Sequence, residues 1–496
     1  MTALSCAERF VGFLYRVFLS RTIGAEGLAV YQIALSVVGV VITLTSSGIP
    51  ITVSRLMLKE RSRGSPVGEQ EVVSAGIFSS VIISAPITLI LYFFRDSLSF
   101  IFTDPRCYDV LLIILPAITI TSVYAVIRGY FWGNRKYLTY SLIELIEEIV
   151  MVVVGVILVL KAPDLFSGAK RAGVAVFVSY VVSFTLSSLA FVFGKGRLKN
   201  PIRKLKPLIA SSSPITAMRT LTSLTGTIVA LIIPARLVFY GWETSVAMAE
   251  FGKLSGMALP LLFIPSTVIG SIALVLVPEI SQSYYEKDFL KLKTSVEKSI
   301  NACMIISVLI IPVFIACGKE IGAFLYDSDK AGVYLSVSAV TMLPMSLSMI
   351  TNSLLNSVNK ERKTLFNYVI GALIMLAVIW IGPKYTGIYS LILAYFLSFT
   401  VTALLNAFAL KKVLIKKTDC LKKMLFGCLS AAVATVFGVL LKGIIINLPD
   451  ILIIIVGFLA ITAFNLVLLA VLGVTDVKKI SFSAFFKHKK SRITDL

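Results

Sequence analysis

The chain has one histidine in 496 residues, His488, and it stands in a lysine-rich tail. A histidine-based catalytic triad or histidine metal site is therefore excluded from the apolar body of the chain. The cysteines Cys6, Cys107, Cys303, Cys317, Cys420 and Cys428 form no C-x-x-C pair and no ligand spacing. Most lie in apolar runs, where Cys behaves as a small hydrophobe. No G-x-x-x-x-G-K-[ST] stretch occurs, so the chain has no P-loop of its own. No cofactor and no metal are expected. Charge is scarce as well: 15% of residues are charged, against about 25% in soluble chains.

What is abundant is apolar surface. Hydrophobic residues make up 57% of the chain, and the mean hydropathy is +0.93. This excludes an ordinary soluble enzyme, a disordered protein and a disulfide scaffold. It points to an all-α polytopic membrane protein. A spanning helix needs about 20 apolar residues. Fourteen runs qualify: 3–21, 31–58, 72–94, 108–131, 138–160, 172–193, 207–236, 246–278, 295–317, 332–357, 364–382, 387–410, 421–444 and 451–474. The first lacks a basic leader and a small-residue cleavage site, so it reads as a retained helix. A transmembrane barrel would show alternating segments of about 10 residues, which are absent. The connecting loops are too short for a soluble domain.

The net charge of +21 suggests nucleic acid until its distribution is followed. Lys and Arg gather in alternate loops, for example Lys195, Arg197, Lys199, Arg203, Lys204 and Lys206, and again in 411–423 and the C-terminal tail. The intervening loops hold far fewer. That asymmetry places the basic loops and both termini in the cytoplasm and removes the need for a nucleic-acid partner. The chain also echoes itself. Arg21 to Glu26 closes the first helix and Arg236 with Gly241-Trp242-Glu243 closes the seventh. Asn134-Arg135-Lys136 and Asn359-Lys360-Glu361-Arg362 follow the fourth and tenth. These echoes read as two six-helix lobes, 1–200 and 201–413, in parallel orientation. The remainder, 414–496, supplies helices 13 and 14 and a basic tail.

Ionisable groups deep in a bilayer cost about 2.5–3.5 kcal/mol on insertion scales and mark function by default. Arg219 lies 13 positions after Lys206, about 20 Å along a helix. No carboxylate stands on its own helix, and Pro214 is positioned to open the backbone one turn earlier. It is either a cavity-facing group or a structural hydrogen-bond donor. Arg16 lies inside the first helix, where snorkelling is the alternative. Arg21 and Arg236 close equivalent outer helix ends, and Arg55 lies near the inner end of helix two. Glu144, Glu147 and Glu148 are spaced by three and four, so Glu144 neighbours both others. Like charges so close cannot all ionise cheaply, a condition that suits proton coupling; pairing with Arg135 and Lys136 at the interface is the alternative. Pro50, Pro260, Pro265 and Pro278, with Gly39, Gly48, Gly252, Gly256 and Gly270, mark bends or close packing in helices two and eight.

Gly12-Phe13, Arg21-Thr22-Ile23-Gly24-Ala25-Glu26-Gly27, Tyr31-Gln32, Ser47-Gly48-Ile49-Pro50 and Val53-Ser54-Arg55-Leu56 resemble the opening of the multidrug/oligosaccharidyl-lipid/polysaccharide exporter (MOP) superfamily. The branch they resemble is the stage V sporulation protein B-like group of polysaccharide and peptidoglycan-precursor flippases. The resemblance implies a V of two lobes around a central cavity in a bacterial plasma membrane. It implies alternating-access flipping of an undecaprenyl-pyrophosphate-linked glycan, in cell-wall or spore-cortex synthesis. Related lipid II flippases line that cavity with arginines. Arg16, Arg21, Arg55 and Arg219 stand at positions of that type, Arg21 and Arg55 within the matching motifs. The expected partners are the lipid-linked glycan, membrane lipids and cell-wall synthesis enzymes, with the chain a monomer.

A cation-coupled multidrug exporter of the same fold and a non-transporting scaffold for cell-wall enzymes stay open as alternatives. A glycosyltransferase is disfavoured, because it would need catalytic carboxylates and a sizeable extramembrane loop. The orientation is testable directly. Single cysteines placed in 195–206 and 411–423 should resist impermeant thiol reagents in intact cells and react after permeabilisation; labelling from outside would reverse the topology.

Overall fold

A computed structural model describes residues 2–414 and 420–474. The 415–419 stretch and the basic tail, with His488, lie outside the described residues. All regular structure among the described residues is helical. In chain order the helices are α1 (Thr2–Thr22), α2 (Gly24–Ser46), α3 (Ile49–Ser62), α4 (Pro66–Phe93), the short α5 (Arg95–Leu98), α6 (Arg106–Gly133), α7 (Tyr137–Leu160), α8 (Leu165–Phe193), α9 (Ile202–Phe239) and α10 (Thr244–Phe251). There follow α11 (Leu259–Tyr285), α12 (Phe289–Tyr326), α13 (Asp329–Ser338), α14 (Met342–Ser357), α15 (Glu361–Ile381), the short α16 (Pro383–Thr386), α17 (Tyr389–Lys411), α18 (Cys420–Ile445) and α19 (Asp450–Val471).

Among the described residues twelve stretches are long and apolar enough to cross a bilayer. The expected runs 3–21 and 138–160 are present as α1 and α7, of spanning length, but do not qualify by composition. The reason is charge: α1 carries Glu8, Arg9, Arg16 and Arg21, and α7 carries Glu144, Glu147 and Glu148. These two helices pack on each other.

Two bends fall where Gly and Pro were expected to put them. The run 31–58 is broken between Ser46 and Ile49, just ahead of Pro50. Residues Gly252–Ala258 form a π-helical turn ahead of Pro260. There a Cβ on Gly252 would collide with the Ala25 carbonyl, and one on Gly256 would come within 2.6 Å of Leu28 Cδ2. Small residues thus let this segment close on α2. By contrast α9 runs unbroken through Pro207, Pro214 and Pro234, so Pro214 does not open the backbone near Arg219.

By packing the chain forms two compact units, Met1–Met257 with Ile379–Ser390, and Ala258–Val378 with Leu391–Leu496. Helix α9 packs on α2, α3 and α4, and α10 on α2. The units therefore do not share boundaries with the repeats read at 1–200, 201–413 and 414–496. The core of the first unit includes Val53, Met57, Val72, Val126, Phe131 and Leu208. The core of the second includes Ile269, Leu292, Val296, Ile350, Leu354 and Leu410.

Several polar side chains inside the second unit are paired across helices. Asn367 Nδ2 donates to Asn406 Oδ1 at 2.8 Å, and Asn406 Nδ2 donates to Asn352 Oδ1 at 2.7 Å, tying α14, α15 and α17 together. Helices α18 and α19 pack on α12. Lys442 meets Glu320 at 2.7 Å, and Asn465 Nδ2 donates to the Val308 carbonyl at 2.8 Å. On α19 the buried residues Ile453, Gly457, Ile461, Asn465 and Leu469 recur every four positions, one ridge of the kind that packs helix on helix.

Helices α12 and α13 also cross closely through small residues. A Cβ on Gly332 would collide with the Gly318 carbonyl and lie 2.6 Å from Lys319 Cα. Gly332→Val should therefore force the backbones apart and lower stability by about 1–3 kcal/mol. Gly226→Ala, with nothing within 4 Å of the added carbon, should be neutral or gain up to about 1 kcal/mol. Thermal unfolding in detergent of the two variants compares them.

Candidate functional site

The polar centre of the first unit is built on α7. Burying three glutamates in an apolar helix is tolerable only if neighbouring helices bring donors to them. Glu144 meets Arg128 of α6 at 3.6 Å and is hydrogen-bonded by the Tyr140 hydroxyl. Arg128 Nη1 also donates to Tyr140 Oη at 3.3 Å. Its guanidinium stacks 5.6 Å from the Trp132 ring and 5.7 Å from the Tyr140 ring. Ser183 of α8 lies near Glu147, with its hydroxyl donating to the Tyr180 carbonyl at 3.1 Å. Glu148 faces α1, where its Oε1 occupies the space a side chain on Gly12 would need. In return Tyr15 of α1 fills the space above Gly155 of α7. Arg16 and Glu8 are the charges of α1 within electrostatic reach of Glu148.

The glutamates are half-buried, and the tyrosines Tyr15, Tyr31, Tyr124 and Tyr140 around them are buried. The Tyr15 and Tyr124 hydroxyls and Arg128 Nε have no protein partner among the described residues. The arrangement holds four carboxylates, Glu8, Glu144, Glu147 and Glu148, with the guanidinium groups of Arg16 and Arg128 and, beside Glu8, Arg9. Carboxylates crowded in this way hold a proton more readily than isolated ones. The set is not the interfacial pairing with Arg135 and Lys136: those two residues are exposed in the α6–α7 turn, with Arg135 at φ 56°. Arg128 was not singled out from the sequence, although it ends an apolar run and the depth argument applied to Arg219 covers it equally.

The arginines fall into separate places. Arg16 is half-buried beside the carboxylates, whereas Arg21, Arg55 and Arg219 are exposed. Arg219 Nη1 donates to the Ser47 carbonyl at 3.1 Å, one of the carbonyls freed where α2 ends. The same break is wedged on α9 by Gly48: its N–H donates to Thr216 Oγ1 at 3.2 Å, and a Cβ there would lie 2.5 Å from the Ser212 carbonyl. Arg55 lies on α3 beyond this break. Arg236, at the other end of α9, is held in an aromatic cage. Its Nε donates to the Trp380 carbonyl at 3.0 Å and its Nη2 to Tyr240 Oη at 2.6 Å. The Trp380, Phe239 and Tyr240 rings lie 4.5, 4.6 and 4.9 Å from it. No metal-ligating cluster occurs among the described residues.

The pairing of Arg128 with Glu144 makes a clear expectation. Arg128→Met strands a half-buried carboxylate beside Glu147 and should cost about 1–3 kcal/mol. Arg128→Met with Glu144→Gln removes the stranded charge and should recover most of the loss in the same unfolding assay.

The sequence profile of the polysaccharide biosynthesis protein family matches residues 1–284. Stage V sporulation protein B of Bacillus subtilis (strain 168) is 26% identical over 435 residues, covering 84% of this chain and 83% of that protein. The lipid II flippase MurJ of the same organism is 22% identical, covering 74% and 73%. Among solved structures, a lipid II flippase MurJ in an inward closed conformation superposes with a TM-score of 0.75 at 16% identity, over 93% of this chain and 97% of that one. An inward-facing multidrug-resistance transporter of the MOP superfamily gives 0.70, also at 16% identity, over 82% and 94%.

Proposed function

Because this chain belongs to the polysaccharide biosynthesis protein family, and is a multi-pass membrane transporter of the MOP superfamily and not an enzyme, we propose that it flips a pyrophosphate-linked lipid glycan across the bilayer by alternating access. The observation that carries this reading is Arg219 at the α2–α3 break. One of its donors is used on Ser47, and the rest of its five-donor fork is available to a pyrophosphate. Arg16, Arg21 and Arg55 complete the proposed cargo set. Arg236, with its fork taken by Trp380 and Tyr240, is proposed to anchor α9 and to meet cargo only through what remains of its edge.

The fourteen-helix count with α1 and α7 spanning, the two six-helix lobes and the cytoplasmic termini belong to the same proposal. So does coupling. The chain lacks a nucleotide-binding motif, and the carboxylate-rich set on α1 and α7 is suited to take up a proton or cation in one state and release it in another. An anionic cargo on cationic residues also responds to potential, at about 2.3 kcal/mol per charge per 100 mV. The α7 glutamates equally favour the second reading, a cation-coupled drug exporter; its cargo would be an organic cation that Arg219 repels.

Reconstitution with fluorescent lipid-linked precursors separates the two. Arg219→Ala should nearly abolish flipping while the protein still inserts, and Arg219→Lys should keep part of it, since the charge stays but the fork is lost. Glu147→Gln with Glu148→Gln should keep cargo binding and lose dependence on the ion gradient. Wild-type flipping by Arg219→Ala, or movement of organic cations but no lipid-linked glycan, would refute the flippase reading.

A further inference from the structure

A second concentration of positive charge lies in the other unit, on residues that the transport reading does not use. Three helix corners distant in sequence converge there on a concavity of about 690 Å³: the α11–α12 turn, the start of α15 and the end of α17. They contribute Lys287, Lys360, Lys363 and Lys412. An adjoining basin of about 850 Å³ shares Lys360 and Lys363 and adds Arg362 and Glu361. Tyr284, Tyr285, Phe289, Ala409 and Val413 complete the lining of the first concavity.

The lysines stand on rigid corners. Lys287 adopts a left-handed conformation at φ 59°, and the Asp288 N–H closes the turn on the Ser283 carbonyl at 3.0 Å. Asn359 does the same at φ 60°, and the Lys360 N–H closes on Leu355 at 2.9 Å. These are helix-ending turns in which the residue after the cap is left-handed, so the following residue is fixed in direction. Among the described residues none of the four lysines forms an ion pair. The neighbouring Glu286 is engaged by Gln282 Nε2 at 2.7 Å.

A general excess of Lys and Arg in loops explains why lysines occur here. It does not explain why four of them converge from three corners onto one concavity with aromatic residues in its lining. Like charges gathered this way repel unless an anion sits among them. The corners also lie at the ends of helices of spanning length, and basic and aromatic side chains at such ends are suited to the membrane surface. We infer that this basin is a binding site for a phosphate-bearing anion, held by Lys287, Lys360, Lys363 and Lys412. The phosphate belongs either to an anionic phospholipid headgroup or to a soluble phosphate. The site does not depend on the transport reading.

The test uses the full chain in nanodiscs of phosphatidylcholine alone or with phosphatidylglycerol. Native mass spectrometry reads the retained lipid, and titration with inorganic phosphate in the phosphatidylcholine discs reads the soluble source. Wild type should retain phosphatidylglycerol at least tenfold over phosphatidylcholine if the source is lipid, or bind inorganic phosphate saturably if it is soluble. The Gln variant of all four lysines should lose either behaviour, and the Arg variant of all four should keep it. A control with Lys195→Gln, Arg197→Gln and Lys199→Gln, on a basic loop of the other unit, should bind as wild type does. Unchanged retention in a Gln variant of normal thermal stability, equal loss in the control, or neither behaviour in wild type would overturn the site. If the fourfold Gln variant fails to fold, Lys363→Glu alone should lower the preference at least threefold, and an unchanged preference there would overturn it as well.

Discussion

Charge inside an apolar solvent must be answered by the protein itself, and this requirement organises the first unit. Helices α1 and α7 are the two that fall short of a spanning composition, and they are packed on each other. Glu8 and Arg16 of α1 and the three glutamates of α7 are half-buried among α1, α6, α7 and α8, whereas Arg9 and Arg21 of α1 are exposed. Glycine makes this possible: Gly12 leaves room for Glu148 and Gly155 for Tyr15. A larger residue at either place would push a carboxylate or a phenol toward lipid, where neither finds partners. The composition that disqualifies these helices individually is what makes them a pair.

A second consequence of the same solvent is that backbone interruptions must be covered. The α2–α3 break exposes carbonyls that no water in hydrocarbon would satisfy. Helix α9 covers it with Thr216 on the Gly48 N–H and Arg219 on the Ser47 carbonyl. The covering contact leaves most of a guanidinium uncommitted at a point where two helical segments meet. A structural donor and a cargo-binding group are therefore not alternatives for Arg219; one nitrogen can serve the first role while the rest of the fork serves the second. Arg236 shows the opposite balance, because an aromatic cage and two hydrogen bonds absorb its fork.

The family relationship and the side-chain geometry support different statements. Similarity to flippases and to multidrug transporters at 16% identity fixes the backbone architecture and is shared by carriers of very different cargo. What separates such carriers is the sign and hydrogen-bonding geometry of a few intramembrane groups. In this chain the ionisable groups within spanning helices include arginines on α1, α3 and α9 and carboxylates on α1 and α7, and the proposed cargo and coupling sets share α1.

The sequence alone determined the solvent, the helical class and the approximate spans, and it named Gly48, Pro50, Gly252, Gly256 and Pro260 among the places for bends or close packing, while α11 runs unbroken through Pro265 and Pro278. These readings follow from local properties: apolar length, and residues that weaken a helix. The glutamate triad was legible too, because spacing on one helix is a local property. Partners were not. Glu144 has Arg135 and Lys136 as its nearest cations in sequence, yet it meets Arg128, on the preceding helix and a full turn deeper than the loop. Ser183 and Gly12 reach the other two glutamates from helices far along the chain. Likewise Pro214 suggested an opening near Arg219, whereas α9 is continuous and the opening lies on α2–α3. Which groups meet is decided by how helices cross, and crossing depends on small residues on both partners at once, which only the tertiary structure brings together.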